Sequence, residues 1–272
     1  MLRKQNKALV PGLSDADVAC ALDAMRANAR RTAPPALLLA CTQPRARLIA
    51  WMAAQCARLA LGDECLFLAA NYVDRFLAVS PRFPPPSSEQ QQWGALRTLG
   101  AAALLIADKY ESVAPHSAAE YARLTGVDAG IQHVRTAELV LLNALAFDVC
   151  VATPLAFLRY AAAADVDIDA RGVSVLVRAR RVCRRSLRTS AAAAFSAAHL
   201  GFACWLVARA AHTLEPWPPH LARATRTTAV ELAPCAAFLG HLTARPQKSR
   251  RMETAATTPV MDSLSPASPV KM

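Results

Sequence analysis

The chain has 272 residues, 54% of them hydrophobic and only 6% aromatic, with 9 glycines and a formal charge of +11. That length holds two compact domains of about 100 residues each plus tails, and an alanine-dominated, glycine-poor composition favours helices, so an all-α chain is expected. A basic balance of this size points to an acidic partner, whether nucleic acid, a membrane surface or an acidic protein face, and does not choose among them. Cys20, Cys41, Cys56, Cys65, Cys150, Cys183, Cys204 and Cys235 stand singly, with no CxxC and no Cys/His pair at metal-ligand spacing. They read as buried thiols of an intracellular protein and argue against a zinc module. The basic start Met1–Lys7 leads into no signal-peptide core, and the most apolar run, 191–211, is broken by His199 and Arg209, so it reads as a buried core helix and no membrane span is expected.

Ser14 followed by Asp15 and Asp17 has the form of a helix N-cap, after which Val18, Leu22 and Met25 recur at helical spacing until Pro34 and Pro35. A second helix over 45–61 places Leu48, Trp51, Met52, Cys56 and Leu59 on one face and stops near Gly62. A third runs over 63–77 through Leu66, Ala69, Ala70 and Val73. The prolines and polar tract of 80–92 predict an exposed loop. An apolar helix over 96–110 follows, stacking Leu99, Ala103 and Ile106, with charge confined to Arg97, Asp108 and Lys109 at its ends. A short helix over 117–124 is closed by Gly126, and 131–145 carries Val134, Leu141, Leu142 and Leu145 around Glu138.

Thr153-Pro154 opens a second series, with helices expected over 154–164, 172–187, 191–211 and 221–242, the last with a break at Pro234. This half reads as a shorter echo of the first. From 244 onward the chain turns polar and proline-dotted, and disorder is expected there. The organisation is therefore an N-terminal helix and connection (1–41), a first five-helix domain (42–152), a second, degenerate one (153–243) and a tail (244–272).

Several stretches resemble, in order, the cyclin box. Arg45 to Met52 (RARLIAWM) is similar to the opening of the box's first helix, and Asn71 to Leu77 (NYVDRFL) to the family's NYxDRFL signature. Leu96 to Glu111 resembles the third box helix, Thr136 to Val149 the last, and Thr153 to Leu158 the entry to the second fold. Trp51-Met52, Cys56 and 71–77 look nearest to D-type cyclins and to herpesvirus-encoded cyclins. The resemblance implies two consecutive cyclin-box domains in a non-catalytic regulatory subunit, without cofactor, that activates a cyclin-dependent kinase of the G1 type in the nucleus and cytoplasm. It would act by binding the active arrangement of the kinase more tightly than the inactive one.

The same resemblance implies an interface as the functional site. Lys109 and Glu138 fall where family members contact the kinase's C helix, with apolar contacts from Ile106, Tyr110, Leu142 and Val149. Judged from the residues alone, Lys109 is a cation favoured by a helix C-terminus and Glu138 a solvated polar group. Arg45 and Asp74 match a buried salt bridge joining the first two box helices. Leu48, Trp51 and Arg97 fall on a patch that docks Arg-x-Leu substrates and inhibitors in many cyclins, though Pro44, Arg47 and Arg97 depart from the pattern, the added positive charge disfavours a basic peptide, and Leu48 and Trp51 also read as plain core.

Thr258, Ser265 and Ser268 each precede a proline and form potential proline-directed phosphorylation sites, and Lys248 to Arg251 is a short basic cluster of the nuclear-import kind. The arginines from Arg178 to Arg188 read as a solvated face more readily than as a nucleic-acid site. The rival from another class is a cyclin-fold transcription factor binding DNA or the RNA polymerase machinery, which the charge would suit; the missing Cys/His array argues against it. An enzyme finds no motif: the histidines are isolated and there is no glycine-rich phosphate loop.

Overall fold

A computed structural model of the chain describes residues 15–29, 42–80, 82–84, 87–126, 130–168 and 171–244. Among them are eleven α-helices and one 3-10 turn, and no strand. Helix α1 (Asp15–Ala29) precedes two five-helix repeats. The first comprises α2 (Thr42–Arg58), α3 (Asp63–Val79), α4 (Glu89–Glu111), α5 (Ala118–Thr125) and α6 (Ile131–Ala144). The second comprises α7 (Pro154–Ala164), α8 (Gly172–Ser186), α9 (Ala197–Ala211), α10 (Pro219–Thr225) and α11 (Ala229–Ala244).

In each repeat the third helix is the apolar axis around which the others pack. Helix α4 buries Leu99, Leu104 and Leu105 against Leu48, Ile49 and Met52 of α2, Tyr72 and Val73 of α3, Tyr121 of α5, and Val134 and Leu141 of α6. Helix α9 buries Phe202 and Trp205 against Leu155 and Phe157 of α7, Val175 and Val182 of α8, Leu221 of α10 and Leu239 of α11. The close approaches need glycine. A Cβ on Gly100 would stand 2.9 Å from Leu48 Cδ1 and 3.1 Å from Trp51 Cζ3, and one on Gly201 would meet the backbone of α7, 2.8 Å from Leu158 N.

The repeats interlock. Phe67 of α3 turns away from Leu66 and Leu68, which lie in the first core, and enters the second. Helix α1 packs Leu22 on that same second core, while Arg26 donates to Thr225 O at 2.7 Å and to Thr227 Oγ1 at 2.8 Å, and Arg226 pairs with Asp23.

Several boundaries differ from the sequence expectation for local physical reasons. Helix α4 begins at Glu89, inside the predicted 80–92 loop, because Ser88 and Gln91 form a reciprocal capping box. Helix α9 begins only at Ala197, capped by Ser196, and the alanines before it form the 3-10 turn Ser190–Ala194. The break expected at Pro234 lies instead at Arg226, in the left-handed region at φ 48°, and Thr228 and Glu231 cap a helix that carries Pro234 inside it. Cys56, Cys65, Cys183, Cys204 and Cys235 are buried, but Cys20 and Cys150 are exposed, which corrects the expectation of uniformly buried thiols; Cys41 lies outside the described residues. Burial pushes the Cys56 and Cys65 thiols up to about 12. No helix among the described residues is long and apolar enough to cross a membrane.

Candidate functional site

At the C-terminal end of α4, Lys109 Nζ donates to Glu138 Oε1 of α6 at 2.6 Å, with the lysine half exposed and the glutamate mostly covered. An exposed pair of this kind contributes little to stability, so its position is more telling than its energy. Tyr110 follows the lysine and Leu139 the glutamate in the chain, and both are exposed, as are Val113 just past the end of α4 and Phe147 just past the end of α6. Large apolar side chains left exposed on the two helices that supply the ion pair suit a surface on which something else packs. Leu142 and Val149 are half-buried and lean on the first core. Ile106 is only 5% exposed and belongs to that core, so its expected place on the contact surface is corrected: at one turn from the helix end it faces inward, and Tyr110 is the residue that reaches the outside.

Phe147 was not singled out as a site residue from the sequence, and it is the most conspicuous one in the structure. It is 60% exposed. Ala146 and Phe147 both lie in the left-handed region, at φ 52° and 57°, where residues with a Cβ are uncommon. The chain is held there from both sides. Phe147 N donates to Leu142 O at 2.9 Å and Asp148 N to Leu145 O at 3.0 Å, closing the end of α6. From α3, Tyr72 donates its hydroxyl to Val149 O at 2.8 Å, and Arg75 donates to Asp148 O at 2.7 Å. The Asn71–Leu77 segment therefore clamps the strained turn that presents Phe147, and strain maintained by its surroundings is characteristic of functional positions.

The neighbouring connection from α4 to α5 is tied to a buried carboxylate. Asp108 has no exposed surface and accepts from Ser112 Oγ at 2.5 Å, His116 N at 2.8 Å, and Tyr121 Oη at 2.9 Å, with His116 Nδ1 also 2.9 Å away. Burial by itself raises its pKa; the hydrogen bonds outweigh that effect and hold it below the usual carboxylate range. The knot fixes 112–117, and with it Val113. The Tyr110 hydroxyl is pushed up to about 12 by its hydrogen bond with Cys150 and by burial.

Arg45 and Asp74 form a bidentate pair, with Nε–Oδ1 at 2.6 Å and Nη2–Oδ2 at 2.7 Å, and the remaining Nη1 donates to Leu187 O at 2.8 Å. The pair thus fastens α2 to α3 and both to the end of α8 in the second repeat. Burial raises the Asp74 carboxyl and Arg45 draws it down.

The expected docking patch is altered. Leu48 is completely buried under α4, because Gly100 lets the helices close on it; this removes it from the patch. Trp51 is half-buried against the first core. Arg47 lies over the Trp93 ring at 4.1 Å and reaches Glu89 at 3.5 Å, and Arg97 lies 6.0 Å from the same ring. Arg47 and Arg97 of this region are thus both turned toward Trp93. Thr258, Ser265 and Ser268, with the 248–251 cluster and most of the tail, lie outside the described residues, as do parts of 80–92. Among the described residues, no group of three His, Cys, Asp or Glu could hold a metal ion.

Comparison with known proteins shows similarity to one family. The cyclin N-terminal domain matches residues 23–150. The G2/mitotic-specific cyclin-A of Patella vulgata is 31% identical over 198 residues, covering 70% of this chain and 42% of that protein. Cyclin-A2 of Gallus gallus is 30% identical over 200 residues, covering 70% and 45%. The chain thus spans less than half the length of these relatives. In fold it is similar to a viral cyclin from herpesvirus saimiri, with a TM-score of 0.60, 18% identity, and coverage of 74% of this chain and 84% of that one. In its N-terminal domain and its alignment with cyclin A the chain is similar to members of the cyclin family, and in its paired helical repeats it shares their fold.

Proposed function

We propose that this chain is a non-catalytic activating subunit of a cyclin-dependent kinase, acting through the surface of Lys109, Glu138, Tyr110, Leu139 and Phe147. The observation that carries the reading is the exposed Phe147, held in a strained turn at the end of α6, the helix that supplies Glu138 to the pair with Lys109. An apolar surface of this kind gives affinity when covered, and the charge pair at its edge fixes register. Activation then follows from preferential binding to the active kinase conformation. The relatives are named as A-type and G2/mitotic cyclins, which supports a partner of that class over the G1/S class implied by Trp51-Met52, Cys56 and 71–77. Action in the nucleus and cytoplasm is part of the proposal. Docking of Arg-x-Leu segments is not, because Leu48 is buried and Trp93 is stacked under Arg47.

The test mixes the purified chain with a panel of monomeric cyclin-dependent kinases and measures phosphorylation of histone and of retinoblastoma protein. We expect activation of at least one kinase, with the preferred partner separating the mitotic from the G1 reading. Lys109→Ala with Glu138→Ala is expected to leave the fold intact and weaken association by about 2–5 kcal/mol. Absence of activation across the panel, or a double variant that binds as tightly as the wild type, overturns the assignment.

A further inference from the structure

Helix α8 carries a surface that the kinase reading does not use. Its inner face buries Val175, Ala179, Val182 and Cys183 in the second core. Its outer face carries Arg178, Arg181 and Arg185 at helical spacing, continued by Arg188 in the turn that follows, a stripe of about 15 Å at the rise of an α-helix. All four are exposed. Along the chain no Asp or Glu occurs between Asp169 and Glu215, so the charge of this stretch of sequence is of one sign. Asp63 of α3 takes Arg184 at 3.1 Å on the flank. Like charges three and four residues apart disfavour a helix, so this one is held by its buried face against the repulsion of its outer face.

A second observation separates the surface from an ordinary solvated helix. Val173 and Val177, one turn apart at the N-terminal end of the same outer face, are 53% and 52% exposed. The face is therefore divided, with two apolar side chains first and arginines after. A nucleic-acid backbone would use the arginines and leave the valines in water, whereas a protein segment with both apolar and acidic side chains would cover both parts. Arginine also suits carboxylates better than lysine does, since its planar fork donates to both oxygens at once.

We propose that the outer face of α8 is a docking surface for an acidic amphipathic segment of a partner protein. Apolar side chains of that segment rest on Val173 and Val177, and its carboxylates pair with the Arg178–Arg188 stripe. The surface stands on the second repeat, on helices other than those that build the Lys109–Glu138 surface, and does not depend on which kinase the chain activates.

The experiment uses the full chain and a fluorescein-labelled helical peptide with two leucines one turn apart followed by four glutamates at the same spacing. A glutamine version of the peptide and a DNA duplex serve as competitors. Saturable binding of the acidic peptide is expected, weakened about tenfold or more by Arg178→Glu with Arg181→Glu. Val177→Ser should weaken it by a smaller factor, and neither change should alter kinase activation. Arg178→Gln with Arg181→Gln supplies a milder variant should charge reversal disturb folding, with the melting temperature as the check. Equal binding of acidic and glutamine peptides overturns the proposal. So does a duplex that binds more tightly than the peptide with no response to Val177→Ser, which would make the stripe a phosphate-backbone surface instead.

Discussion

Gly100 in α4 and Gly201 in α9 hold the same place in the two repeats, each where the central helix crosses the first helix of its own repeat. Each repeat also buries a carboxylate that gathers several side chains, Asp108 near the end of α4 and Asp165 at the end of α7. Asp108 collects Ser112, His116 and Tyr121, and by doing so shapes a connection that ends on the surface at Val113. Asp165 collects Trp205 Nε1 at 2.9 Å, Arg209 and His220, groups of α9 and α10, and stays wholly internal. The same scaffold thus supports two economies of polar groups. In the first repeat a buried acid organises a loop that faces outward, directly after the helix end that carries the exposed Tyr110; in the second it cements helices to each other. A duplicated fold can diverge in function by redirecting a buried hydrogen-bond centre while its helix crossings stay the same.

The comparison can be broken most forcefully at the buried ion pairs. Asp165→Ala in the second repeat strands Arg209, and Asp74→Ala in the first strands Arg45; each is expected to cost about 3–5 kcal/mol, read as a fall in denaturant midpoint. A soluble, thermally unchanged Asp74→Ala would show that Arg45 is served well enough by Leu187 O alone. The two glycines come next. Gly201→Ala pushes a Cβ against backbone atoms of α7, whereas Gly100→Ala meets the mobile end of Leu48, so we expect about 2–3 kcal/mol for the former and about 1 kcal/mol for the latter. Equal melting temperatures for the two variants would remove the asymmetry.

Phe147→Gly sharpens the functional side of the contrast. It relieves a left-handed φ, so stability should hold or rise by about 0.5 kcal/mol, while kinase activation is lost. An active Phe147→Gly chain would detach the strained turn from function. The smallest effect expected is in acid. Because the folded-state pKa of Asp108 lies below its ordinary value of 3.8, its stabilisation is present above about pH 4 and drains away as the pH falls through the lowered value. Urea midpoints between about pH 2 and 6 should show Asp108→Asn converging on the wild type at the acid end.

Much of this architecture is written in local pattern. The periodicity of Leu99, Ala103 and Ile106 locates α4, and Thr153-Pro154 marks the start of α7 through an N-cap and a proline at the first helical position. Lys109, Glu138, Arg45 and Asp74 were found through motif order, and the structure brings each of these pairs together. Other features depend on partners distant in sequence. Nothing local marks Phe147 for a left-handed turn, since its conformation is imposed by Tyr72 and Arg75 of another helix. Burial of Leu48 depends on the absence of a side chain at Gly100. The start of α4 was concealed because its capping box lies within a proline- and glutamine-rich tract that reads as loop.

Phe67 also bears on how the molecule is put together. It leaves a helix of the first repeat to complete the core of the second, while Arg45 ties both to the end of α8. Neither repeat is then a closed folding unit: cutting the chain between them would expose an aromatic side chain on one fragment and open a hole in the other. Heat or denaturant should melt both repeats in one cooperative transition, and a first repeat expressed alone should be prone to aggregation even though it carries the entire Lys109–Phe147 surface.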